Sequence, residues 1–139
     1  MSPLHRSLVA PLALVVLAAC GSDETAPSAD DHTPVSYTLL VNGNPRTPPY
    51  TFVVGQTVRV QLEFVNSAGE NLDDVEAQHF AGLIFNPGSL AIAGRLSNHH
   101  YQFDVTGQSA GSGTLQVSFG HDELADEKSF PEAAVTVTP

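Results

Sequence analysis

The stretch Thr57-Val58-Arg59-Val60-Gln61-Leu62-Glu63-Phe64 alternates apolar and polar side chains without interruption. Successive side chains of an extended strand point to opposite faces. The spacing therefore puts Val58, Val60, Leu62 and Phe64 on one face and Arg59, Gln61 and Glu63 on the other. Helical periodicity fits these residues poorly. The stretch reads as a half-buried strand with Phe64 in a core and Glu63 in solvent.

Working outward, the same pattern recurs. Upstream, residues 35–41 form a first strand candidate with Tyr37, Leu39 and Val41 on one parity, broken by Asn42-Gly43-Asn44-Pro45. A short edge strand at 50–54 ends at Gly55. Downstream, residues 66–76 are a polar, increasingly acidic loop. The segment 77–85 carries His79, Phe80, Leu83, Ile84 and Phe85, with Gly82 read as a bulge. Asn86-Pro87-Gly88 turns the chain, and 90–93 is a small strand closed by Gly94. His99-His100-Tyr101-Gln102-Phe103-Asp104-Val105 alternates again with Tyr101, Phe103 and Val105 inward. A glycine-rich connection over 107–113 leads into Thr114-Leu115-Gln116-Val117-Ser118-Phe119, an acidic loop runs from 120 to 131, and 133–137 is a last strand. Short alternating strands separated by turn signals, with no helical pattern, predict an all-β sandwich or barrel.

Composition narrows what such a domain can do. The chain has 139 residues, 42 % of them hydrophobic and only 14 % charged, so its polar surface is built largely from Thr, Ser, Gln, Asn and Gly. The formal net charge is −10 with 5 Lys and Arg in all. A phosphate backbone needs a basic face, so nucleic acid is excluded as a partner, and direct adhesion to an anionic bilayer is excluded on the same ground.

The first residues address the chain. Met1 to Arg6 carry the early positive charge, an almost unbroken apolar run follows, and it ends in Leu17-Ala18-Ala19-Cys20-Gly21. The run is short for a transmembrane span, which needs about 20 apolar residues, and has the layout of a signal peptide. Leu-Ala-Ala-Cys resembles the lipobox of bacterial lipoproteins. That resemblance implies diacylation of Cys20, which becomes the first mature residue, and a membrane attachment through lipid. It implies residence in the bacterial cell envelope outside the cytoplasm, at the outer membrane if the host has one. Cys20 is the only cysteine, which excludes an internal disulfide and a cysteine zinc site. Residues 20–34 repeat Pro, Ser and Asp with no large apolar side chain and read as a disordered acidic tether, His32 included as a solvated residue. The expected organisation is a signal peptide over 1–19, a tether over 20–34 and one domain over 35–139.

Three phrases within the domain carry a further resemblance. Val54-Gly55-Gln56-Thr57-Val58, then Val105-Thr106-Gly107 with Gly111-Ser112-Gly113-Thr114-Leu115-Gln116-Val117, and the closing Val135-Thr136-Val137 resemble the bacterial immunoglobulin-like repeats of surface proteins and adhesins. The resemblance implies an immunoglobulin-like Greek-key β-sandwich of about seven strands, with a binding or spacing role and no chemistry. Those repeats often carry a Trp after the first long loop. This chain has none, so Phe80, Phe85 or both must fill that space.

In a Greek-key sandwich the loops 66–78, 94–98 and 120–132 gather at one pole. His79, His99, His100, His121 and Asp122 all fall there. Two readings are open. Polar loops of an exported domain are simply solvated, and the His99-His100 pair simply begins a strand. Alternatively, imidazoles with a carboxylate form a site for zinc or copper. His79 and His121 share parity with the core residues of their strands, so each is expected at the rim facing the other sheet. No nucleophile motif such as Gly-x-Ser-x-Gly occurs, and no phosphate-binding loop. The expected function is a non-enzymatic, membrane-tethered module that binds or scaffolds an unidentified protein or small ligand, with extracytoplasmic transition-metal binding as the alternative.

Overall fold

A computed structural model describes residues 32–72, 78–125 and 127–139. Cys20, with the signal and most of the tether, lies outside the described residues. Ten strands form in chain order: β1 (Ser36–Val41), β2 (Asn44–Arg46), β3 (Tyr50–Val53), β4 (Thr57–Val65), β5 (Phe80–Asn86), β6 (Ala91–Leu96), β7 (His99–Gly107), β8 (Gly111–Gly120), β9 (Lys128–Ser129) and β10 (Ala133–Thr138). One sheet runs β2-β1-β4-β7-β6 and the other β3-β10-β8-β5, with β9 on β8. Seven of these, β1, β4, β7 and β6 against β10, β8 and β5, reproduce the two sheets of a constant-type immunoglobulin sandwich. The fold is thus the immunoglobulin-like Greek key, with β2, β3 and β9 added to its seven strands.

The alternation of β4 is realised as read. Phe64 is fully buried and Glu63 is exposed. Phe64 stands at the centre of an aromatic cluster, with ring centroids 4.9 Å from Tyr101, 5.4 Å from Phe119 and 5.8 Å from Phe130. Of the two residues proposed to fill the space of a missing Trp, Phe85 is in the core, edge-on to Phe52 at 5.7 Å. Phe80 is only half-buried and stands at the rim.

Several expectations are corrected. Gly82 is not a bulge, because β5 pairs with β8 through seven consecutive residues without a shift. A side chain at Gly82 would instead run into the Ser118 hydroxyl. Gly94 does not close a strand either; β6 continues through it to Leu96, and the register breaks between Arg95 and Leu96. The acidic loop after β8 is shorter than read. Lys128 and Ser129 return to pair with Phe119 and Ser118, and the Phe130 amide donates to the Val117 carbonyl at 2.9 Å. Phe130 is thereby only 6 % exposed.

Two glycines are required by close approach of backbones. A Cβ on Gly107 would meet the Val53 carbonyl where β3 crosses the end of β7, and one on Gly113 would meet the Asn86 carbonyl. These are glycines of the phrases that resemble bacterial immunoglobulin-like repeats; Gly107 lets β7 of one sheet approach β3 of the other, and Gly113 lets β8 and β5 close up within one sheet.

Candidate functional site

Antiparallel pairing decides which side chains share a pole. Ser36 lies opposite Val65, Phe80 opposite Gly120, and Leu96 opposite His99. The starts of β1, β5 and β7 therefore meet the ends of β4, β8 and β6. Residues just before β1 and β5 and just after β8 are delivered to one place.

His79 precedes β5 and is 4 % exposed. Its ring packs on the Phe119 ring at 5.4 Å and on that of His121 at 5.0 Å with the planes at 70°. His121 follows β8, keeps the inward parity of Phe119, and packs edge-on against it at 5.7 Å. The parity reading of these two histidines agrees with this geometry. His32 completes the group, its ring 5.4 Å from that of His79. Read from the sequence as a solvated tether residue, His32 is exposed yet packed in the group, and Pro34 two residues on is buried. The pairing of β1 with β4 carries the chain entry to this pole. No local sequence pattern contains that register.

Glu127 fixes His121. One carboxylate oxygen lies 2.5 Å from Nδ1 of His121 and the other accepts the His121 amide at 3.1 Å. These two hydrogen bonds, the side-chain one foremost, hold the Glu127 carboxyl below its ordinary range, and the nearby His79 acts in the same direction. Glu127 was not singled out in the sequence, where it is one of several acids in the loop.

The remaining predicted site residues are placed otherwise. His100 stacks on Phe80 with centroids 4.2 Å apart and planes within 20°. The Arg95 guanidinium stands 5.2 Å from the same ring and donates to the Ala81 and Glu123 carbonyls, both at 2.9 Å. This cluster straps β6, β5 and the loop after β8 together. His99 opens β7 beside the turn and is half-buried. Asp122 shapes the loop: its side chain accepts the Leu124 amide at 2.9 Å and its carbonyl the Ala125 amide at 3.1 Å. That turn seats Ala125, at a φ of 51°, in full burial over Gly82. Among the described residues no group of three or more His, Cys, Asp or Glu side chains is placed to hold a metal ion.

One cleft stands apart, a volume of about 510 Å³ between Val41, Pro45, Arg46, Pro49 and Tyr50 on the β2 side. Burial, with Tyr37 adding to it, raises the Tyr50 phenol well above its ordinary value, so it stays neutral.

No family model and no curated protein matches this chain. Among solved structures, it is similar in fold to domains 4 and 5 of the S-layer protein SbsC. The TM-score is 0.51 at 16 % identity, over 76 % of this chain and 54 % of that one. The chain thus spans about half the length of that structure, and the likeness concerns the fold.

Proposed function

We propose that this chain is a lipid-anchored, non-enzymatic module of the bacterial envelope, held outside the cytoplasm and presenting a β-sandwich for binding or spacing. The observation that carries the reading is the order of the chain. Leu17-Ala18-Ala19-Cys20 ends an apolar run, a short acidic segment follows, and the sandwich begins at Ser36. Such a layout suits a protein that is exported, acylated and then folded at a short distance from the bilayer. The solved structure with a similar fold comes from an S-layer protein, which is in keeping with an envelope role for an immunoglobulin-like module. A net charge of −10 keeps the domain off an anionic surface and leaves attachment to acyl chains, two of which are the usual minimum for stable anchoring.

The experiment is acylation in a bacterial host. The wild type should incorporate a palmitate analogue and stay with the membrane through a high-salt wash. Cys20→Ser should incorporate none and appear as a soluble or unprocessed chain. A Cys20→Ser protein of normal mature size that stays fully membrane-bound would refute the anchor.

A further inference from the structure

We propose that His79 and His121, joined by His32, bind one transition-metal ion, zinc or copper(II), at the pole where the chain enters the sandwich, with Glu127 as the carboxylate that positions His121.

Three observations converge on this site, and none depends on the lipid anchor. The first is the spacing of the rings. A metal lies about 2.0–2.1 Å from a ligating imidazole nitrogen, hence about 3.2 Å from the ring centre, and two such rings on a tetrahedral ion have centres about 5 Å apart. The observed separation is 5.0 Å for His79 and His121, while His32, 5.4 Å from His79, is within reach but has to turn to join them. The second is the hydrogen bond to Glu127. A carboxylate on Nδ1 makes that nitrogen the N–H donor, so the lone pair of His121 is carried on Nε2. A carboxylate behind the ring is the usual second partner of a metal-ligating histidine, raising its basicity and fixing its orientation. The third is support. His79 and His121 both lean on Phe119, itself held in the core by Phe64. The pair is thus backed by a rigid strand rather than carried on loose loops.

His79 stands between the other two rings. His121 and His79 form the prepared half, and the exposed His32 swings about its own side-chain bonds to complete a three-nitrogen set. Imidazole nitrogen suits zinc and copper and does not suit calcium, which takes oxygen ligands. His100 and Asp122 are not part of the site, since His100 is committed to Phe80 and Asp122 to its turn, and among the described residues the ring contacts of the cluster do not include His99.

The test is isothermal titration of the full chain in detergent, at neutral pH, with zinc chloride, copper(II) chloride and calcium chloride in turn. One zinc or copper ion should bind per chain in the micromolar range or tighter, and calcium should not bind. His121→Gln and His79→Ala should each weaken binding at least tenfold, His32→Ala less, and Glu127→Gln by about 10–100-fold. His99→Ala and His100→Ala should leave the titration unchanged. His79 is buried, so its removal can loosen the fold; His121→Gln, at an exposed ring, keeps the experiment decisive, with melting in chelator as the folding control. The proposal is overturned by affinity no tighter than about millimolar in the wild type. It is equally overturned by binding that survives His121→Gln, or that is lost on His100→Ala while the fold is retained.

Discussion

Replacing Phe64 by Ala removes the hub of the core. Phe64 is fully buried, and four aromatic rings close on it: Tyr101 at 4.9 Å, Phe119 at 5.4 Å, Phe130 at 5.8 Å and Tyr37 at 6.4 Å. Truncating a buried Phe to Ala costs about 3–5 kcal/mol, the lost transfer energy plus the cavity left behind. Each well-placed aromatic pair contributes about 0.5–1.5 kcal/mol beyond its area, and these contributions are not additive. The surrounding rings sit on β7, β8, β1 and the segment after β9, so no single side chain can shift to fill the space. The upper part of that range, about 4–5 kcal/mol, is therefore expected. A domain of this size is stable by about 5–15 kcal/mol, so the variant is at the edge of unfolding at 37 °C. Urea titration followed by tyrosine fluorescence measures it, with Glu63→Ala as the neighbouring control on the solvent face. Glu63→Ala should move stability by less than about 0.5 kcal/mol, with the urea dependence unchanged. Equal losses for the two, or a larger one for Glu63→Ala, would mean that the face assignment along β4 is one residue out.

Other substitutions test other links. Phe130→Ala should cost about 3 kcal/mol or more in the same titration, although Phe130 follows an acidic loop, because it is buried against Phe64 and Tyr37; a loss below about 0.5 kcal/mol would show that the segment after β9 does not hold to the core. Gly113→Ala should destabilise by about 1–3 kcal/mol because its Cβ meets a backbone carbonyl, whereas Gly111→Ala meets only the end of the Leu90 side chain, at 3.1 Å, and should be milder. Equal effects would discount the close approach of β5 and β8. Cys20→Ser should lose acyl labelling and membrane retention together.

Period-two alternation carries far in this chain because half-buried strands obey it. It is enough to face Val60, Leu62 and Phe64 inward, to bury Tyr101, Phe103 and Val105, and to give His79 and His121 the inward parity of their strands. What it does not carry is anything decided by pairing partners or by single side chains. His32 joins the cluster because Ser36 pairs with Val65, a register that no local pattern contains. β9 has two residues, too few to show a period, so Phe130 looked like part of an acidic loop. Gly82 resembles a bulge in one dimension, but its lack of a side chain answers to Ser118 across the sheet. Asp122 and His100 are of metal-ligand type, yet a turn amide and an aromatic ring claim them first. Glu127 differs from its acidic neighbours only in reaching the His121 ring, which requires the fold to be known.

The register of β1 also decides at which pole the chain enters the sandwich. The described chain begins at the pole that carries His79, His121 and Glu127, while the Asn42-Gly43 turn after β1 and the β7 to β8 connection lie at the other. With a lipid on Cys20, the twelve residues from Gly21 to His32 span at most roughly 40 Å, so the pole that carries the imidazole cluster would be the tethered one, held within that reach of the bilayer. A protein partner would then meet the distal turns first, whereas an ion is small enough to reach the membrane-side pole without displacing anything. The two proposed roles therefore use opposite ends of one rigid sandwich. His121→Gln should abolish the metal response and leave acylation and folding intact, and Cys20→Ser should remove the anchor and leave the zinc titration unchanged. Loss of zinc binding in a folded Cys20→Ser chain would mean that the lipid end contributes to the site, and that anchor and metal pole do not act independently.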